Sequence, residues 1–276
     1  MSDTFSKGAA VRFWTLGTSA AVATLGRDNL SLLVRSQNEL FLIECSGSPI
    51  NRLLRVKYDF RDLNLLIITH RHTDHIYGLP SLVHALKIRG GHHLPMPIFA
   101  PPETIEVASK LLLSFWDRAS LSKLVSLIPV PLEENHLLFE SSGVQIFTSP
   151  VEHGPETLAV KMVEKQTGLS MVYSSDTVPC ESVVRLATGV DDLLHDSTFC
   201  VGAKGDGRLF GHSTARDAGV VARRSGVKRL ILVHFSDVAA DGNECVSEAA
   251  LEFAGQVVAA SDFQEFVCGS LKGSSD

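Results

Sequence analysis

Three histidines and one aspartate lie within six consecutive positions, directly after the apolar run 65–68. His70, His72, Asp74 and His75 form the pattern His-x-His-x-Asp-His. Neutral imidazole nitrogens and carboxylate oxygens are ligands that Zn²⁺, Mn²⁺ and Fe²⁺ accept, and a strand followed by a loop lets alternate residues converge on one point. The four side chains form two offset pairs that one ion could not easily bind together. The pattern therefore predicts a site for two metal ions.

Three further candidate ligands each follow an apolar run that has the composition of a buried strand. They are His153 after the run 144–147, Asp176 after 169–173, and His234 after 230–233. Taken alone, each would be an ordinary surface or capping residue. Strand ends at one edge of an α/β sandwich can gather side chains from distant parts of a sequence. Together with the first cluster, we therefore expect these residues to be ligands.

The ordered series of motifs resembles that of the metallo-β-lactamase-fold hydrolases, and within them the ribonuclease Z branch. The resemblance runs through most of the chain. Its motifs, in chain order, are Leu16-Gly17-Thr18-Ser19-Ala20, Leu42-Ile43-Glu44-Cys45, His70-x-His72-x-Asp74-His75, Gly78-Leu79-Pro80, His153, Ser175-Asp176-Thr177, His195-Asp196-Ser197-Thr198-Phe199, Gly211-His212-Ser213-Thr214 and His234-Phe235-Ser236.

The resemblance implies an α/β fold, a four-layer αββα sandwich of the metallo-β-lactamase type. It also implies that two divalent metal ions hold a hydroxide between them, which attacks a phosphorus centre. Zn²⁺ is the metal we expect, with Mn²⁺ or Fe²⁺ as alternatives. The implied ligands are His70, His72 and His153 for one ion, Asp74, His75 and His234 for the second, and Asp176 as the bridge between them.

A site of this kind can hydrolyse a phosphodiester without a protein nucleophile. Two divalent ions lower the pKa of a shared water, neutralise the non-bridging oxygens and stabilise the pentacoordinate transition state. The sequence has no Gly-x-Ser-x-Gly motif that would indicate a serine nucleophile. The spacing of the cysteines and histidines also does not indicate a catalytic Cys-His pair. We therefore expect a metal-dependent hydrolase, most simply a phosphodiesterase.

The proton for the leaving group would come from His212, which the resemblance places beside the leaving oxygen. Its partner in the family is usually the glutamate of a His-Glu-Ala-Thr run, and the corresponding residue here is the shorter Asp196. Whether Asp196 still orients His212 is open, and we include Asp74 with these two among the catalytic residues. Alternatively, this histidine merely precedes a helix, and both interpretations can hold together. The N-cap of that helix would be formed by Ser213, Thr214 and Asp217.

Two recognition features of the ribonuclease Z branch are missing or changed. Those proteins bind transfer RNA with a long arm. The arm is inserted between the strand of the residue equivalent to His153 and the Ser-Asp-Thr strand. Here the segment 158–163 turns at 164–168 and returns at once over 170–173, which leaves no room for an arm. The family's Asp-Cys-Gly-Glu-Gly is also replaced by a different run. That run is Glu44-Cys45-Ser46-Gly47-Ser48.

The charge of the chain favours a small substrate over a folded polyanion. The formal net charge is -6 at pH 7, whereas proteins that bind nucleic acid normally carry a basic excess. A local basic patch is compatible with a negative net charge of the whole chain. The same basic residues could equally form the solvent-exposed faces of two helices. Its candidates are Arg52, Arg55, Lys57, Arg61, Lys87 and Arg89. We favour a small phosphodiester or nucleotide as the substrate.

Other functions stay open alongside this one. The chain could process transfer RNA 3′ ends as an endoribonuclease, with the arm supplied by the partner in a homodimer. It could also hydrolyse a sulfate ester, thioester or lactone, because one fold can host many reactions. A non-catalytic binding protein is disfavoured, because the seven ligands would be buried polar groups that need a metal to satisfy them.

Length and composition agree with one enzyme domain. The chain has 276 residues, 45% of them hydrophobic, and we expect a single domain over 1–268 with a disordered tail at 269–276. No run of eighteen apolar residues and no signal sequence is visible, so we expect a cytoplasmic protein without membrane contact. The five cysteines lack Cys-x-x-Cys spacing, which favours reduced thiols over a disulfide framework.

The hydrophobic pattern also predicts the elements that must position the site. Strands are expected near 11–16, 30–35, 39–44, 65–69, 97–100, 124–130, 136–140, 144–149, 157–164, 169–174, 192–195 and 229–234. Helices are expected at 80–89, from Pro101 onward, at 214–225 and at 246–254, with short β segments near the C-terminus. Two groups of strands interleaved with helices are typical of two sheets covered on their outer faces.

Overall fold

The computed structural model describes residues 11–200, 210–237 and 242–270, and their strands form two seven-stranded sheets. The first sheet contains β1 (Arg12–Gly17), β2 (Ser31–Ser36), β3 (Glu39–Ile43), β4 (Leu65–Ile67), β5 (Met96–Ala100) and β6 (Val125–Pro129). The second contains β7 (His136–Glu140), β8 (Val144–Pro150), β9 (Leu158–Glu164), β10 (Ser170–Tyr173), β11 (Asp192–Asp196), β12 (Arg229–Val233) and β13 (Gln256–Ala259). The chain then returns to the first sheet as β14 (Gln264–Val267).

Both sheets place four parallel strands side by side. The strand order is β14-β1-β2-β3-β4-β5-β6 in the first sheet and β13-β12-β11-β10-β9-β8-β7 in the second. Strands β3 to β6 run parallel, as do β10 to β13, and the remaining neighbours pair antiparallel. Since parallel strands end at the same edge, the loops after them meet there.

The helices of the described residues belong to two groups. The first half of the chain contributes α1 (Pro49–Arg55), α2 (Thr73–Ile76), α3 (Leu79–Arg89), α4 (Pro102–Leu113) and α5 (Arg118–Leu121), with a 3₁₀ turn at Phe60–Asp62. The second half contributes α6 (Glu181–Leu186), α7 (Ala215–Ser225) and α8 (Gly242–Ala250).

Three apolar clusters hold these layers together. Alternate strand residues point to opposite faces of a sheet, so Leu32 and Val34 enter the cluster between the sheets whereas Leu33 faces the helices. The cluster between the sheets includes Phe13 stacked on Phe266 with ring centroids 5.1 Å apart. The other two clusters pack helices against the outer face of each sheet. The result is the predicted four-layer αββα sandwich.

The sequence missed four short helices, α1, α2, α5 and α6, and displaced another. Helices α1 and α6 have seven and six residues, too few for an apolar period to stand out. Helix α8 begins at Gly242 and ends at Ala250, four residues before the predicted boundaries. The predicted helix 80–89 is confirmed, and it ends where Gly90 takes a left-handed φ of 75°.

The prediction of five reduced thiols is wrong for two cysteines. Cys200 and Cys245 form a disulfide, with their Cα atoms 5.6 Å apart and a sequence separation of 45. Spacing alone could not reveal this pair, because the fold brings α8 beside the loop that follows β11. Cys45, Cys180 and Cys268 are free and buried, as expected for packing residues.

Two other expectations concern the ends of the chain and the membrane. Gly269 N–H donates to Asp192, and Ser270 C=O accepts from Arg229, so the predicted tail begins with two packed residues. The rest of that tail, 271–276, lies outside the described residues. Within the described ranges, none of the helices has the length and apolar character needed to traverse a bilayer.

Candidate metal centre

All seven predicted ligands meet at one edge of the sandwich. His70 and His72 follow β4, Asp74 and His75 lie on α2, and His153 follows β8. Asp176 and His234 come directly after the ends of β10 and β12. The cluster opens into a cavity of about 740 Å³. Distant segments therefore converge as the strand-end pattern predicted.

The first group of ligand atoms surrounds one point. His72 Nδ1 lies 3.1 Å from His70 Nε2 and 3.2 Å from His153 Nε2. Asp176 Oδ2 lies 3.6 Å from His70 Nε2 and 3.9 Å from His153 Nε2. Four ligands about 2.1 Å from a tetrahedral ion would lie roughly 3.4 Å from one another. These four residues, which we call half-site 1, could hold a metal ion.

A second group forms beside the first and shares Asp176. His75 Nε2 lies 3.3 Å from Asp74 Oδ2 and 3.3 Å from Asp176 Oδ2. His234 Nε2 lies 3.7 Å from Asp74 Oδ2 and 3.3 Å from Asp176 Oδ2. We call these four residues half-site 2. The same oxygen of Asp176 faces both groups, which is the position that a bridging ligand requires.

Several atoms of the cluster are buried without a hydrogen-bond partner in the described structure. They are His75 Nδ1, His75 Nε2, His234 Nε2 and Asp176 Oδ1. A buried polar atom without a partner costs free energy, and such atoms in a folded protein call for an unseen water or ion. Because these nitrogens and carboxylates are ligands of borderline metals, the residues present fit divalent cations.

The charges of the cluster favour metal binding as well. Burial lowers the pKa of His70 well below 6.5 and lowers that of His153, so both rings are in the neutral form that binds metals. Burial alone would raise the pKa of Asp176, but the charges of His234 and His75 hold it well below its usual value. The carboxylate shared by the two half-sites therefore stays ionised.

Neighbouring groups fix which nitrogen of two rings carries the proton. His153 Nδ1 lies 2.8 Å from Gly211 C=O, which can only accept, so Nδ1 donates and Nε2 faces half-site 1. His234 Nδ1 lies 2.8 Å from the Thr198 hydroxyl, which gives its own proton to Asp196 Oδ1 at 2.7 Å. His234 Nδ1 therefore also donates, and its Nε2 is left for half-site 2.

Asp196 reaches His212 despite its shorter side chain. Asp196 Oδ2 lies 2.9 Å from His212 Nδ1, and Asp196 is fully buried at the end of β11. Burial opposes protonation of His212, but the charge of Asp196 and their hydrogen bond raise its pKa above 6.5. Thr214 and Asp217 form the predicted capping box of α7. The capping interpretation is therefore confirmed, and Asp196 contacts His212, whose role as the acid stays a prediction.

Three of the seven described non-glycine residues with a positive φ border the cluster. Glu44, Ser175 and His234 have left-handed φ angles of 66°, 58° and 62°, which residues other than glycine rarely adopt. Glu44 and His234 come immediately after β3 and β12. Such strain persists only where surrounding contacts impose it, and it tends to gather at functional sites.

Apolar, neutral polar, acidic and imidazole side chains line the cavity. Val22, Tyr77, Phe199 and Phe210 line it beside the metal ligands. Asp237 adds a negative charge, and none of the described lining residues is Lys or Arg. The described part of the cavity therefore lacks a track of positive charge for a polyanion.

Three of the six residues in the predicted basic patch make contacts within the fold, whereas Lys57, Lys87 and Arg89 are exposed. Arg52 is only 2% exposed and pairs with Asp28, while its Nη1 donates to Asn29 C=O at 2.8 Å. Arg61 pairs with Asp59 at 2.6 Å. Arg55 stacks on Phe263 with its guanidinium carbon 4.2 Å from the ring centroid. These contacts favour structural roles over a nucleic-acid surface.

The sequence analysis did not identify several residues that orient the ligands. Thr69, Thr198 and Gly211 contact ligand imidazoles through a hydroxyl or a carbonyl. Glu44 lies beside His75. Each stands within a motif already noted, but only the fold shows which ring it contacts.

Comparison with known proteins gives consistent results. The pattern of the "Beta-lactamase superfamily domain" matches residues 41–235. A protein named "Ribonuclease Z" from Methanothermobacter thermautotrophicus is 28% identical over 267 residues, covering 80% of this chain and 85% of its own length.

Two solved structures share the fold. The metallo-beta-lactamase fold protein YhfI from Bacillus subtilis has a TM-score of 0.81 at 20% identity, covering 94% of this chain and 100% of its own. The short form of human tRNase Z (ELAC1) has a TM-score of 0.75 at 23% identity, covering 92% and 98%. At these identities, the structural likeness concerns the fold alone.

Replacing Gly211 should weaken half-site 1 selectively. A Cβ at this residue would lie 2.7 Å from His153 Nδ1, so Gly211→Ala should displace the ring. We expect the ion of that half-site to bind about 10- to 100-fold more weakly, the usual effect of losing an outer contact. A competition titration of the metal-free protein with a chromophoric chelator would measure the change.

Gly168→Ala is the matched control for this experiment. Gly168 has a φ of 74°, close to the 78° of Gly211, but a Cβ there would meet nothing within 4 Å. Both variants therefore carry the same backbone strain, and only one of them crowds a ligand. Equal metal affinity in the two variants would contradict a role for Gly211 in holding His153.

Proposed function

Since this chain belongs to the beta-lactamase superfamily, we propose that it hydrolyses small phosphodiesters with two divalent metal ions. The predicted metallo-β-lactamase fold and the class of metal-dependent hydrolase are confirmed. One observation carries the proposal. A single oxygen of Asp176 lies 3.3–3.9 Å from ring nitrogens of four histidines in two groups, and the pair His212–Asp196 faces the same cavity.

The proposed ligands are those of the two half-sites. His70, His72 and His153 would hold one ion, Asp74, His75 and His234 the other, and Asp176 both. Bound there, divalent ions supply an activated water and neutralise the charge of the phosphodiester. We propose Zn²⁺, because imidazole and carboxylate groups at these distances suit it, with Mn²⁺ or Fe²⁺ as alternatives.

The residues of this chain would move the remaining proton. His212 Nδ1 is engaged by Asp196, so Nε2 is the nitrogen that can donate to the leaving oxygen. The raised pKa of His212 keeps that proton available near neutral pH. Asp196 holds the ring through Oδ2, while Thr177 N–H and Thr198 N–H hold the carboxylate at 3.1 Å and 2.9 Å. Asp74 would act at the reacting centre as a ligand.

Three observations support a small substrate. Strands β9 and β10 are joined by the turn 165–169, so no arm extends between them. A cavity of about 740 Å³ falls within the usual range for small-molecule sites, roughly 300–1,000 Å³. Its described walls offer aromatic side chains, Tyr77, Phe199 and Phe210, and neither lysine nor arginine. A nucleotide-like diester with one anionic phosphate and a flat group matches this lining.

Processing of transfer RNA 3′ ends is the second candidate. The name of the Methanothermobacter thermautotrophicus relative favours it, and that relative aligns over most of both chains. Since β9 and β10 leave no arm, the transfer RNA would need another surface, such as one supplied by a second copy of this chain in a homodimer.

A substrate panel tests the proposal. The metal-loaded protein would be given a bis-aryl phosphate, a nucleotide diester, an aryl sulfate, a thioester and a precursor transfer RNA. We expect turnover of the two phosphodiesters only. Accurate 3′ cleavage of the precursor at comparable efficiency would replace the proposal by the second candidate, and turnover of the sulfate or thioester alone would refute both.

The role of His212 can be tested by comparing diesters with different leaving groups. His212→Ala should keep the metal content and slow diesters with alkoxide leaving groups by about 10²- to 10⁴-fold, the usual contribution of a general acid. Diesters with a nitrophenolate leaving group need little protonation and should be affected far less. Steady-state rates with both substrates, and metal analysis of each variant, would measure this difference.

His92→Ala is the matched control for that experiment. His92 Nδ1 also lies 2.8 Å from an aspartate oxygen, that of Asp62, but the pair is exposed and remote from the cavity. This variant should behave as wild type with both substrates. Equal loss of both reactions in His212→Ala would show that His212 is not the acid.

A further inference from the structure

Glu44 is a fully buried carboxylate behind the metal centre, with no part in the proposed hydrolysis. It follows β3, its φ is 66°, and its side chain is 0% exposed. Burying a carboxylate is costly, and a left-handed backbone at a residue with a long side chain adds strain. Both costs would be offset if the carboxylate had a specific task.

The carboxylate contacts one half-site directly and reaches the other through Thr69. Glu44 Oε1 lies 3.3 Å from His75 Nδ1, which belongs to half-site 2. It also accepts the Thr69 hydroxyl at 2.5 Å, while Oε2 accepts Thr69 N–H at 3.2 Å. The same Thr69 oxygen lies 3.1 Å from His70 Nδ1, which belongs to half-site 1.

Counting protons shows what these contacts do. A carboxylate only accepts, so the single proton of the Thr69 hydroxyl goes to Glu44. The Thr69 oxygen must then accept from His70 Nδ1, which leaves His70 Nε2 unprotonated and facing His72 Nδ1 at 3.1 Å. His75 Nδ1 lies 3.3 Å from Glu44 Oε1 without hydrogen-bond geometry, so the carboxylate acts on it through charge alone. When Nε2 binds a metal ion, that charge favours a proton on Nδ1.

We propose that Glu44 is a positioning residue shared by the two half-sites, acting on His75 directly and on His70 through Thr69. This inference rests on the metal-binding part of the proposed function. It differs from an ordinary orienting contact because one carboxylate acts on the tautomer of a ligand in each half-site. Loss of Glu44 should therefore weaken both ions together.

Three variants separate this role from a general structural one. Glu44→Gln should weaken both ions by about 10- to 100-fold, because its amide nitrogen would face a donor, either Thr69 N–H or the Thr69 hydroxyl. Thr69→Val removes the relay to His70 and should weaken half-site 1 alone. Thr69→Ser keeps the hydroxyl and should bind both ions as wild type does.

Glu164→Gln is the matched control. Glu164 is 1% exposed and accepts Thr167 N–H at 2.7 Å in the turn after β9, far from any ligand. Replacing it removes an equally buried carboxylate, so the variant should keep wild-type affinity for both ions.

The stepwise affinities would be measured by titrating Zn²⁺ into the metal-free proteins against a chromophoric chelator. His153→Ala and His234→Ala would identify the two steps, because each lacks a ligand of one half-site. Long-range ¹H–¹⁵N spectra of the histidine rings would report the tautomers of His70 and His75, which a purely structural role of Glu44 would leave unchanged. Far-UV circular dichroism would confirm folding.

Failure of the Glu44 proposal can be distinguished from failure of the proposed function. If the wild-type protein binds no metal, the proposed function fails before Glu44 is considered. If it binds two ions and Glu44→Gln loses affinity in one step or in neither, the shared role is wrong. If Glu44→Gln does not fold, the Thr69 pair decides, because equal affinities of Thr69→Val and Thr69→Ser would overturn the relay.

Discussion

Buried negative charge is the constraint on which this structure depends. Asp176 and Asp196 are at most 1% exposed, and with Glu44 they place three carboxylates behind one cavity. Carboxylates in such an environment need positive charge close by, from protonated histidines or from cations. In the metal-free protein, burial opposes protonation of His234, but Asp176 outweighs it and raises the pKa of His234 to about 10. Divalent ions would release those protons and supply the missing charge.

The two sheets make this concentration of charge possible. Strands β3 and β4 of one sheet and β10, β11 and β12 of the other end at the same seam, where contacts cross between them. Thr69 Oγ1 lies 2.6 Å from Ser175 Oγ, and Leu158 N–H donates to Thr69 C=O at 3.2 Å. The apolar cluster between the sheets holds the seam rigid. Ligand atoms from distant parts of the sequence can thus be held close to the positions that metal coordination requires.

The sequence predicted well which residues the fold brings together. Metal chemistry limits the residue types of candidate ligands, and strand ends limit their positions. His70 to His75 form a dense motif, and His153, Asp176 and His234 follow apolar runs that could be read as strands. Glu44 was visible as part of a motif, yet its contacts with His75 and Thr69 depend on a left-handed backbone that no pattern encodes. The Cys200–Cys245 bond likewise depends on how α8 packs. The features that the sequence did not predict depend on tertiary contacts more than on local propensity.

Anomalous diffraction from crystals of the Zn²⁺-loaded protein, recorded at the zinc edge, tests the central claim most directly. We expect two peaks per chain, one within bonding distance of His70, His72 and His153 and the other of Asp74, His75 and His234, with Asp176 between them. A single peak, or zinc bound only away from these residues, would contradict the binuclear centre and the hydrolysis derived from it.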